Sequence, residues 1–271
     1  MAKVLVVTSG KGGVGKTTST AALGAALAQL GEKVVVVDFD VGLRNLDLVM
    51  GAERRVVFDL INVVQGVAKL SQALIRDKRL ENLWLLPASQ TRDKDALTEE
   101  GVGSIIADLR TKFDWILCDS PAGIERGALL AMRFADQAVV VTNPEISSVR
   151  DSDRIIGLLD SKTLRAERGE LIEKQLLVTR FDPQRSNRGE MLSVADVIEI
   201  LSIPLLGVIP ESVDVLRASN LGVPIAISGA ASSVGRAYRD AARRLAGEAV
   251  PMATIEEKKT FFNRLFSRRA A

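Results

Sequence analysis

The stretch "SGKGGVGKTT" (residues 9–18) decides the fold, because it joins a short apolar run to a helical pattern. Residues 10–17 match the phosphate-binding pattern G-x-x-x-x-G-K-[ST], and "VLVVTS" (4–9) leads into them. Glycines in such a loop let backbone N–H groups converge on phosphate oxygens, and the N-terminus of the following helix adds partial positive charge. The stretch predicts a P-loop nucleotide-binding fold. It also holds a second lysine, Lys11, that the pattern does not require.

The motif assigns roles to its residues. We expect Lys16 to reach the β- and γ-phosphates and the Thr17 hydroxyl to ligate Mg²⁺. The residues predicted to hold the nucleotide phosphates are Gly10, Lys11, Gly12, Gly13, Val14, Gly15, Lys16, Thr17 and Thr18. A glycine-rich turn that holds no nucleotide is the alternative, and the complete motif between a strand and a helix argues against it.

Three aspartates follow apolar runs. Asp38 and Asp40 end "VVVVDFD" (34–40), where a spacing of two in a strand would put both side chains on one face. Asp119 ends the apolar run 115–118. We expect Asp40 to position or activate the attacking water, and Asp38 and Asp119 to hold magnesium through its water shell. An aspartate that merely caps a loop is the alternative, and Asp38 is the one it fits best.

Short apolar runs rich in β-branched residues alternate with helical patterns along the chain. The runs are "VLVVTS" (4–9), "VVVVDFD" (34–40), "LWLLPAS" (83–89), "WILCDSPAG" (115–123), "AVVVTNP" (138–144), "LLVTRFDP" (176–183) and "LLGVIPE" (205–211). Their unbroken apolarity predicts strands buried on both faces. The predicted helices are 17–30, with Leu23, Leu27 and Leu30 as its apolar stripe, then 147–160, 193–201 and 235–247. The pattern predicts a doubly wound, mostly parallel α/β sheet flanked by helices.

Composition excludes several kinds of chemistry. The chain has no histidine and one cysteine, Cys118, so histidine catalysis, an internal disulfide and a cysteine-rich metal site are excluded. Cys118 lies in an apolar run and is expected in the core. The 36 basic and 34 acidic residues nearly cancel, which gives no global field for nucleic acid. The N-terminus has no signal-peptide pattern and no apolar run approaches ~20 residues, so we expect a cytosolic chain.

The end of the chain differs from the rest. We expect a P-loop domain over 1–247, a linker over 248–254 and an amphipathic tail over 255–271. In "IEEKKTFFNRLFSRR" (255–269), basic residues border a single apolar stripe at helical spacing. The residues of this stripe that we expect to enter a membrane are Phe261, Phe262, Leu265 and Phe266. An anionic membrane surface, the domain itself and a partner protein are all possible sites for such a helix.

Beyond these patterns, the sequence resembles a known family. The loop "KGGVGKTT" resembles the deviant Walker A motif of the MinD/ParA ATPases, and further segments resemble the branch of that family that determines the septum site. These segments are "DFDVGLRNLDLVMG" (38–51), "ERRVVFDLINVVQG" (53–66), "LLPASQTRDKDALT" (85–98), "CDSPAGIE" (118–125), "TNPEISSVRDSDRIIG" (142–157) and "VLRASNLGVPI" (215–225). The resemblance therefore covers nearly the whole chain.

The resemblance implies a role for Lys11. As the signature lysine, it would cross the interface of an ATP-sandwiched homodimer and meet the phosphates of the other subunit, as an arginine finger does. From its position alone, a contact with the phosphates of its own subunit is an equal expectation. The catalytic residues implied are Lys11, Lys16 and Asp40, and those expected near adenine are Arg180, Pro210 and Glu211.

The resemblance also implies partners and a location. The protein would hydrolyse ATP with Mg²⁺ and bind the cytoplasmic face of the inner membrane through its tail. There it would recruit the division inhibitor MinC away from midcell, and MinE-stimulated hydrolysis would release it. The helix over 147–160, with an N-cap expected at Ser147–Ser148, would meet these partners through Arg150, Asp151 and Asp153.

Other members of the superfamily are the rival interpretations. A ParA-type partition ATPase would bind DNA, which we do not expect here, and a flagellar-number regulator would also carry a membrane helix. An electron-transfer ATPase resembling the nitrogenase iron protein needs two cluster cysteines per subunit, and this chain has one.

Overall fold

An eight-stranded sheet carries helices on both faces in the computed structural model, which describes residues 2–90 and 96–252. The strands are β1 (Lys3–Thr8), β2 (Val34–Asp38), β3 (Ile75–Arg76), β4 (Leu83–Leu86), β5 (Trp115–Asp119), β6 (Gln137–Thr142), β7 (Glu173–Phe181) and β8 (Leu205–Pro210). The helices are α1 (Lys16–Gln29), α2 (Leu46–Val49), α3 (Leu60–Val64), α4 (Leu70–Ala73), α5 (Glu99–Arg110), α6 (Arg126–Arg133), α7 (Ile146–Lys162), α8 (Leu164–Glu167), α9 (Pro183–Asn187), α10 (Val194–Leu201), α11 (Val213–Asn220), α12 (Ile225–Ser228) and α13 (Ser233–Leu245). A short 3-10 helix, Glu53–Arg55, follows α2.

The strand order is β3-β4-β2-β5-β1-β6-β7-β8. All neighbours are parallel except β3, which pairs antiparallel with β4 at one edge. From β1 the chain runs through α1 to β2, and from the neighbouring strand β5 it runs through α6 to β6, so these two connections lead in opposite directions along the sheet. Ligands of such folds bind beyond the carboxyl ends of the strands at this point. The predicted doubly wound, mostly parallel sheet is confirmed.

Each central strand is buried on both faces. Val4 and Val6 of β1 belong to a core layer shared with α5, α6, α7 and α10. Leu5 and Val7 belong to the opposite layer, shared with α1, α12 and α13. Because alternate residues of a strand point to opposite faces, two covered faces require apolar residues at every position. This explains the unbroken apolar runs.

Helix α1 differs from its prediction. It has no exposed polar face, because almost all of it is enclosed between the sheet and helices α12 and α13. Its small residues permit this, since a Cβ at Gly24 would lie 2.7 Å from Cγ1 of Val36. The predicted stripe is wrong at Leu30, which lies beyond the helix end and is 42% exposed.

Two further local predictions are wrong. Strand β2 ends at Asp38, so Asp40 lies in the following loop and does not share a strand face with Asp38. Helix α7 takes Glu145 as its N-cap, not Ser147 or Ser148. The Ser148 hydroxyl lies buried, 3.0 Å from the Thr142 hydroxyl of β6. The first error has a local cause, because the Asp38 carboxylate accepts a hydrogen bond from the N–H of Asp40, and the second arose because Ser148 bonds to β6 instead of capping the helix.

The last described residues remain hydrogen-bonded to helix α13. Arg244 of α13 donates hydrogen bonds to the carbonyls of Val250 (2.9 Å) and Pro251 (2.6 Å), and to that of Leu206 (2.8 Å). Within residues 2–90 and 96–252, no helix has the length and apolarity to cross a membrane. The predicted tail, with Phe261, Phe262, Leu265 and Phe266, lies outside the described residues.

Candidate nucleotide site

The loop between β1 and α1 is shaped for an anion. Gly13 and Gly15 have φ angles of 77° and 96°, which residues with a Cβ adopt only with strain. The Val14 carbonyl accepts a hydrogen bond from the Thr179 hydroxyl of β7 (2.7 Å), which fixes the middle of the loop. Apart from the turn at Gly12–Gly13, the described part of the chain shows no backbone acceptor for the N–H groups of residues 12–18. These donors suit phosphate oxygens.

Lys16 is 8% exposed at the start of α1, and its ammonium donates a hydrogen bond to the Ser9 hydroxyl (2.9 Å). Burial lowers the pKa of Lys16 below its ordinary value, although the charges of Asp119 and Asp40 oppose this shift. A buried ammonium needs partners for its three donors, and only a hydroxyl bonds directly to this one among the described residues. Lys16 is therefore suited to bind an additional anion.

Asp38 and Asp119 are paired by strand register, because they lie opposite each other at the carboxyl ends of β2 and β5. The Asp38 carboxylate accepts hydrogen bonds from the N–H groups of Asp40 (2.9 Å) and Leu46 (3.3 Å). Burial, and then the charge of Asp119, raise the pKa of Asp38 well above its ordinary value. Asp38 thus shapes the loop that carries Asp40, as the loop-capping alternative predicts.

Asp119 is 1% exposed and lies beneath the phosphate loop. The Thr20 hydroxyl lies 3.0 Å both from its carboxylate and from the Lys16 carbonyl, so its single proton is shared between two acceptors. Burial raises the pKa of Asp119 to about 6, outweighing the hydrogen bonds from Thr17 and Thr20 and the charge of Lys16, which lower it. The carboxylate therefore faces Thr17 and Lys16 but lacks a full countercharge.

Two cavities meet at the loop. The phosphate-side cavity, of about 610 Å³, is lined by Gly12, Gly13, Lys16, Thr17, Asp40, Asn45, Leu48, Val49, Ser219 and Asn220, among others. The base-side cavity, of about 450 Å³, is lined by Val14, Thr18, Thr179, Arg180, Pro210, Glu211, Val215, Leu216 and Tyr238, among others. Arg180 lines both cavities and has a positive φ of 53°, an uncommon conformation for a residue with a side chain. The three residues expected near adenine therefore lie together.

Lys11 extends to helix α7. Its ammonium donates hydrogen bonds to the Glu145 carboxylate (3.0 Å) and the Ser147 hydroxyl (3.1 Å), and its side chain is 40% exposed. Helix α7 also touches the loop entry, because a Cβ at Gly10 would lie 2.3 Å from the Asp151 carbonyl oxygen. The start of the phosphate loop and α7 are thus in direct contact.

The residues of α7 predicted to bind partners are accessible to different degrees. Arg150 and Asp153 are exposed, and Asp151 is half-buried against the loop. The helix therefore presents charged side chains on its outer face, while its inner face includes the buried Ser148 and Ser152.

Comparisons with known proteins identify the fold's family. The model of the CobQ/CobB/MinD/ParA nucleotide binding domain matches residues 5–225. The chain belongs to this family. The septum site-determining protein MinD of Escherichia coli (strain K12) is 62% identical over 269 residues, which cover 98% of this chain and 99% of that protein. The predicted membership of the MinD/ParA family, and of its septum-site branch, is confirmed.

Solved structures of MinD/ParA relatives are similar to the whole fold. The MinC:MinD cell division protein complex of Aquifex aeolicus contains a chain that is 43% identical with a TM-score of 0.84, and the match covers 94% of this chain and all of that one. The septum site-determining protein MinD of Pyrococcus horikoshii, complexed with Mg-ADP, is 32% identical with a TM-score of 0.80, covering 90% of this chain and 96% of that one. This MinD/ParA protein is therefore a P-loop nucleotide-binding protein related to cell-division ATPases.

Several site residues of this MinD/ParA protein were not predicted. Thr20 lies three residues after Thr17 on α1, and this helical spacing could have indicated a second hydroxyl near Asp119. Ser9 precedes the motif and could have been considered as a partner of Lys16. Thr179 and Glu145 are far from the motif in sequence, and no local pattern marks them.

Proposed function

We propose that this protein is an ATPase that dimerises with ATP, binds the inner membrane through its tail, and recruits a MinC-type division inhibitor away from midcell. One observation carries the proposal: an anion-shaped loop holding both Lys16 and Lys11 lies in a chain similar, over nearly its full length, to septum site-determining proteins. Hydrolysis, stimulated by a MinE-type partner, reverses the cycle.

In the proposed site, the N–H groups of residues 12–18 and the helix N-terminus hold the phosphates. Lys16 exchanges its Ser9 contact for the β- and γ-phosphates. Hydroxyl and carboxylate oxygens suit Mg²⁺, so Thr17 would ligate the ion, and Asp38 and Asp119 would bind it through its water shell. Bound Mg²⁺ neutralises charge on the phosphate oxygens. Burial raises the pKa of both carboxyl groups, so a nearby cation would stabilise their charged forms.

Asp40 is proposed to orient the attacking water. Its loop lines the phosphate-side cavity together with Lys16, and Asp38 fixes the backbone N–H of Asp40. Arg180, Pro210 and Glu211 are proposed to surround adenine in the base-side cavity.

Lys11 is proposed to act on the partner copy. Its ammonium is held by Glu145 and Ser147, outside its own phosphate loop. An exposed ion pair of this kind contributes little, about 0–1 kcal/mol, so it can be exchanged for a triphosphate. Dimerisation then adds a positive charge where negative charge develops during phosphoryl transfer.

Helix α7 is proposed to receive the protein partners, through Arg150, Asp151 and Asp153. The exposure of Arg150 and Asp153 supports this. Because Asp151 packs on Gly10, a partner that moves α7 would also move the start of the phosphate loop. A MinD chain from Aquifex aeolicus has been solved in a MinC:MinD complex.

The tail is proposed as the membrane anchor. Full burial of a large apolar side chain contributes about 1.5–3 kcal/mol, but burial at an interface is partial and ordering a helix costs entropy. One tail therefore binds weakly, whereas a dimer presents two and gains effective concentration. The nucleotide state of the site then controls membrane binding, and the protein cycles between cytoplasm and membrane.

Sedimentation with vesicles containing anionic lipid tests the proposal, in Mg-ATP and in Mg-ADP. The full chain is compared with a version ending at Thr254 and with the variant Phe262→Asp, which keeps the tail but breaks its apolar stripe. We expect ATP-dependent sedimentation of the full chain alone. A DNA duplex serves as a parallel bait, and ATP-dependent DNA binding without lipid binding would refute the proposal in favour of a partition ATPase.

A further inference from the structure

Arg79, in the turn between β3 and β4, joins three segments of the chain. It pairs with Asp77 through Nη2 (2.7 Å) and Nε (3.2 Å), and the Asp77 side chain is only 1% exposed. Arg79 also donates hydrogen bonds to the carbonyls of Gly222 (2.8 Å) and Met50 (2.7 Å). Its guanidinium therefore pairs with the Asp77 carboxylate, which follows β3, and also bridges the carbonyls of Met50 and Gly222.

The two bridged carbonyls belong to chain segments in direct backbone contact. A Cβ at Gly222 would lie 2.6 Å from the Cα of Gly51, and a Cβ at Gly51 would lie 2.5 Å from the Gly222 carbonyl oxygen. Both glycines have positive φ angles, 62° and 61°, at the turns that follow α2 and α11. No side chain fits between these turns. Because Arg79 bonds to both of them, the turns cannot separate without breaking at least one of its hydrogen bonds.

Each of these turns ends a helix of the nucleotide site. Helix α2 follows the Asp40 loop, and its Leu48 and Val49 line the phosphate-side cavity. Helix α11 contributes Val215 to the base-side cavity and Asn220 to the phosphate-side cavity. The bridge therefore connects the helix beside the base with the helix that follows the Asp40 loop.

We propose that Arg79 is a positioning residue that couples filling of the base-side cavity to the position of the Asp40 loop. A base in that cavity fixes α11, the bridge transmits this to α2, and Asp38 holds the N–H of Leu46 at the other end of the loop. The guanidinium fork is needed because it bonds two carbonyls and a carboxylate at once, which an ammonium cannot do with the same geometry. The inference rests on the proposed positions of adenine and Asp40.

Backbone hydrogen exchange at residues 40–50 tests the coupling, with Mg-ADP compared with Mg-pyrophosphate. Pyrophosphate fills only the phosphate positions, so the difference between the two ligands reports the nucleoside, which is the ribose together with the base. In the wild-type protein we expect ADP to slow exchange there about tenfold more than pyrophosphate, the size of a typical coupling between sites. In Arg79→Gln this difference should vanish, while ADP still protects residues 213–222.

Arg76→Gln is the matched control. Arg76 lies on the same hairpin, is exposed, and pairs with Glu81 without touching α2 or α11. It should keep the full difference between ADP and pyrophosphate. If Arg79→Gln keeps the difference too, or if the wild-type protein shows none at residues 40–50, the coupling is refuted. A lack of base-dependent protection at residues 213–222 in the wild type would instead refute the proposed adenine position.

Kinetics and conservative variants complete the test. Arg79→Gln should lower kcat for ATP by about 10- to 100-fold, as expected for a misplaced catalytic group, with a much smaller change in KM. Arg79→Lys should recover part of kcat, since it restores charge but not the fork. If Arg79→Gln fails to fold, Asp77→Asn takes its place, because it removes the carboxylate that orients Arg79. Loss of binding without loss of kcat in these variants would contradict a positioning role.

Discussion

At the scale of single residues, the site depends on buried groups that lack a full countercharge. Asp38 and Asp119 lie side by side in the strand register, and burial raises the pKa of both. Lys16 is close enough to lower the pKa of Asp119 but not to cancel the effect of burial. In the free protein, burial therefore disfavours the charged forms of the two carboxyl groups and of Lys16. A bound cation would stabilise the carboxylates, and a phosphate group would stabilise the ammonium.

This arrangement predicts how stability depends on pH. The folded-state pKa of Asp119 is about 6, whereas an unfolded aspartate has a pKa of about 3.9. Between these values the folded protein binds more protons, so the contribution of Asp119 to the free energy of unfolding falls as pH rises. We expect Asp119→Asn to gain up to about 3 kcal/mol relative to the wild type between pH 4 and 6, and little more above pH 6.

The measurement is urea unfolding of the nucleotide-free and metal-free protein across this pH range. Asp153→Asn is the control, because Asp153 is an exposed aspartate on α7 and its removal changes no buried charge. The control should follow the wild type. If the free energy of unfolding changes with pH in the same way for Asp119→Asn and the wild type, the charge of Asp119 does not destabilise the folded protein.

At the scale of elements, the sequence predicted those helices and strands whose formation depends on a local pattern of residues. The apolar runs predicted the strands, because burial on both faces of a strand requires apolar residues at every position. The end of β2 was wrong because the Asp38 carboxylate turns the chain there. The two-residue strand β3 is too short to leave a pattern, and the partners of Lys11 and Arg79 lie far away in sequence.

The packing of α7 on the phosphate loop gives an element-scale prediction. Gly10→Ala would place a Cβ 2.3 Å from the Asp151 carbonyl oxygen, so either the loop entry or α7 must move. We expect a loss of about 1–3 kcal/mol in the free energy of unfolding, as for overpacking elsewhere. Chemical denaturation without nucleotide measures it. Gly12→Ala is the control, because its Cβ would meet its nearest neighbour at an unstrained 3.9 Å and should cost much less.

At the scale of the whole molecule, the proposed switch needs no change in the tail itself. Lys11 and the phosphate loop lie at the carboxyl edge of the sheet, whereas Arg244 fixes the departing chain at α13. The nucleotide state can control membrane binding through the oligomeric state, because the oligomeric state sets how many tails one complex presents to the membrane. The proposed ATP-driven dimerisation would double that number, and two linked weak sites can exceed either affinity by about 10²–10⁴-fold.

Two variants separate this avidity from a direct effect of ATP on the tail. Lys11→Ala should bind anionic vesicles as weakly in Mg-ATP as the wild type does in Mg-ADP, because it stays monomeric. A chain carrying two copies of residues 255–271 in tandem should bind in Mg-ADP about 10²-fold more tightly than the single-tailed chain. Vesicle sedimentation measures both, with light scattering to give the oligomeric state. If the tandem chain binds no better in Mg-ADP, the number of tails is not what ATP changes, and the membrane step must instead depend on release of the tail from its own domain.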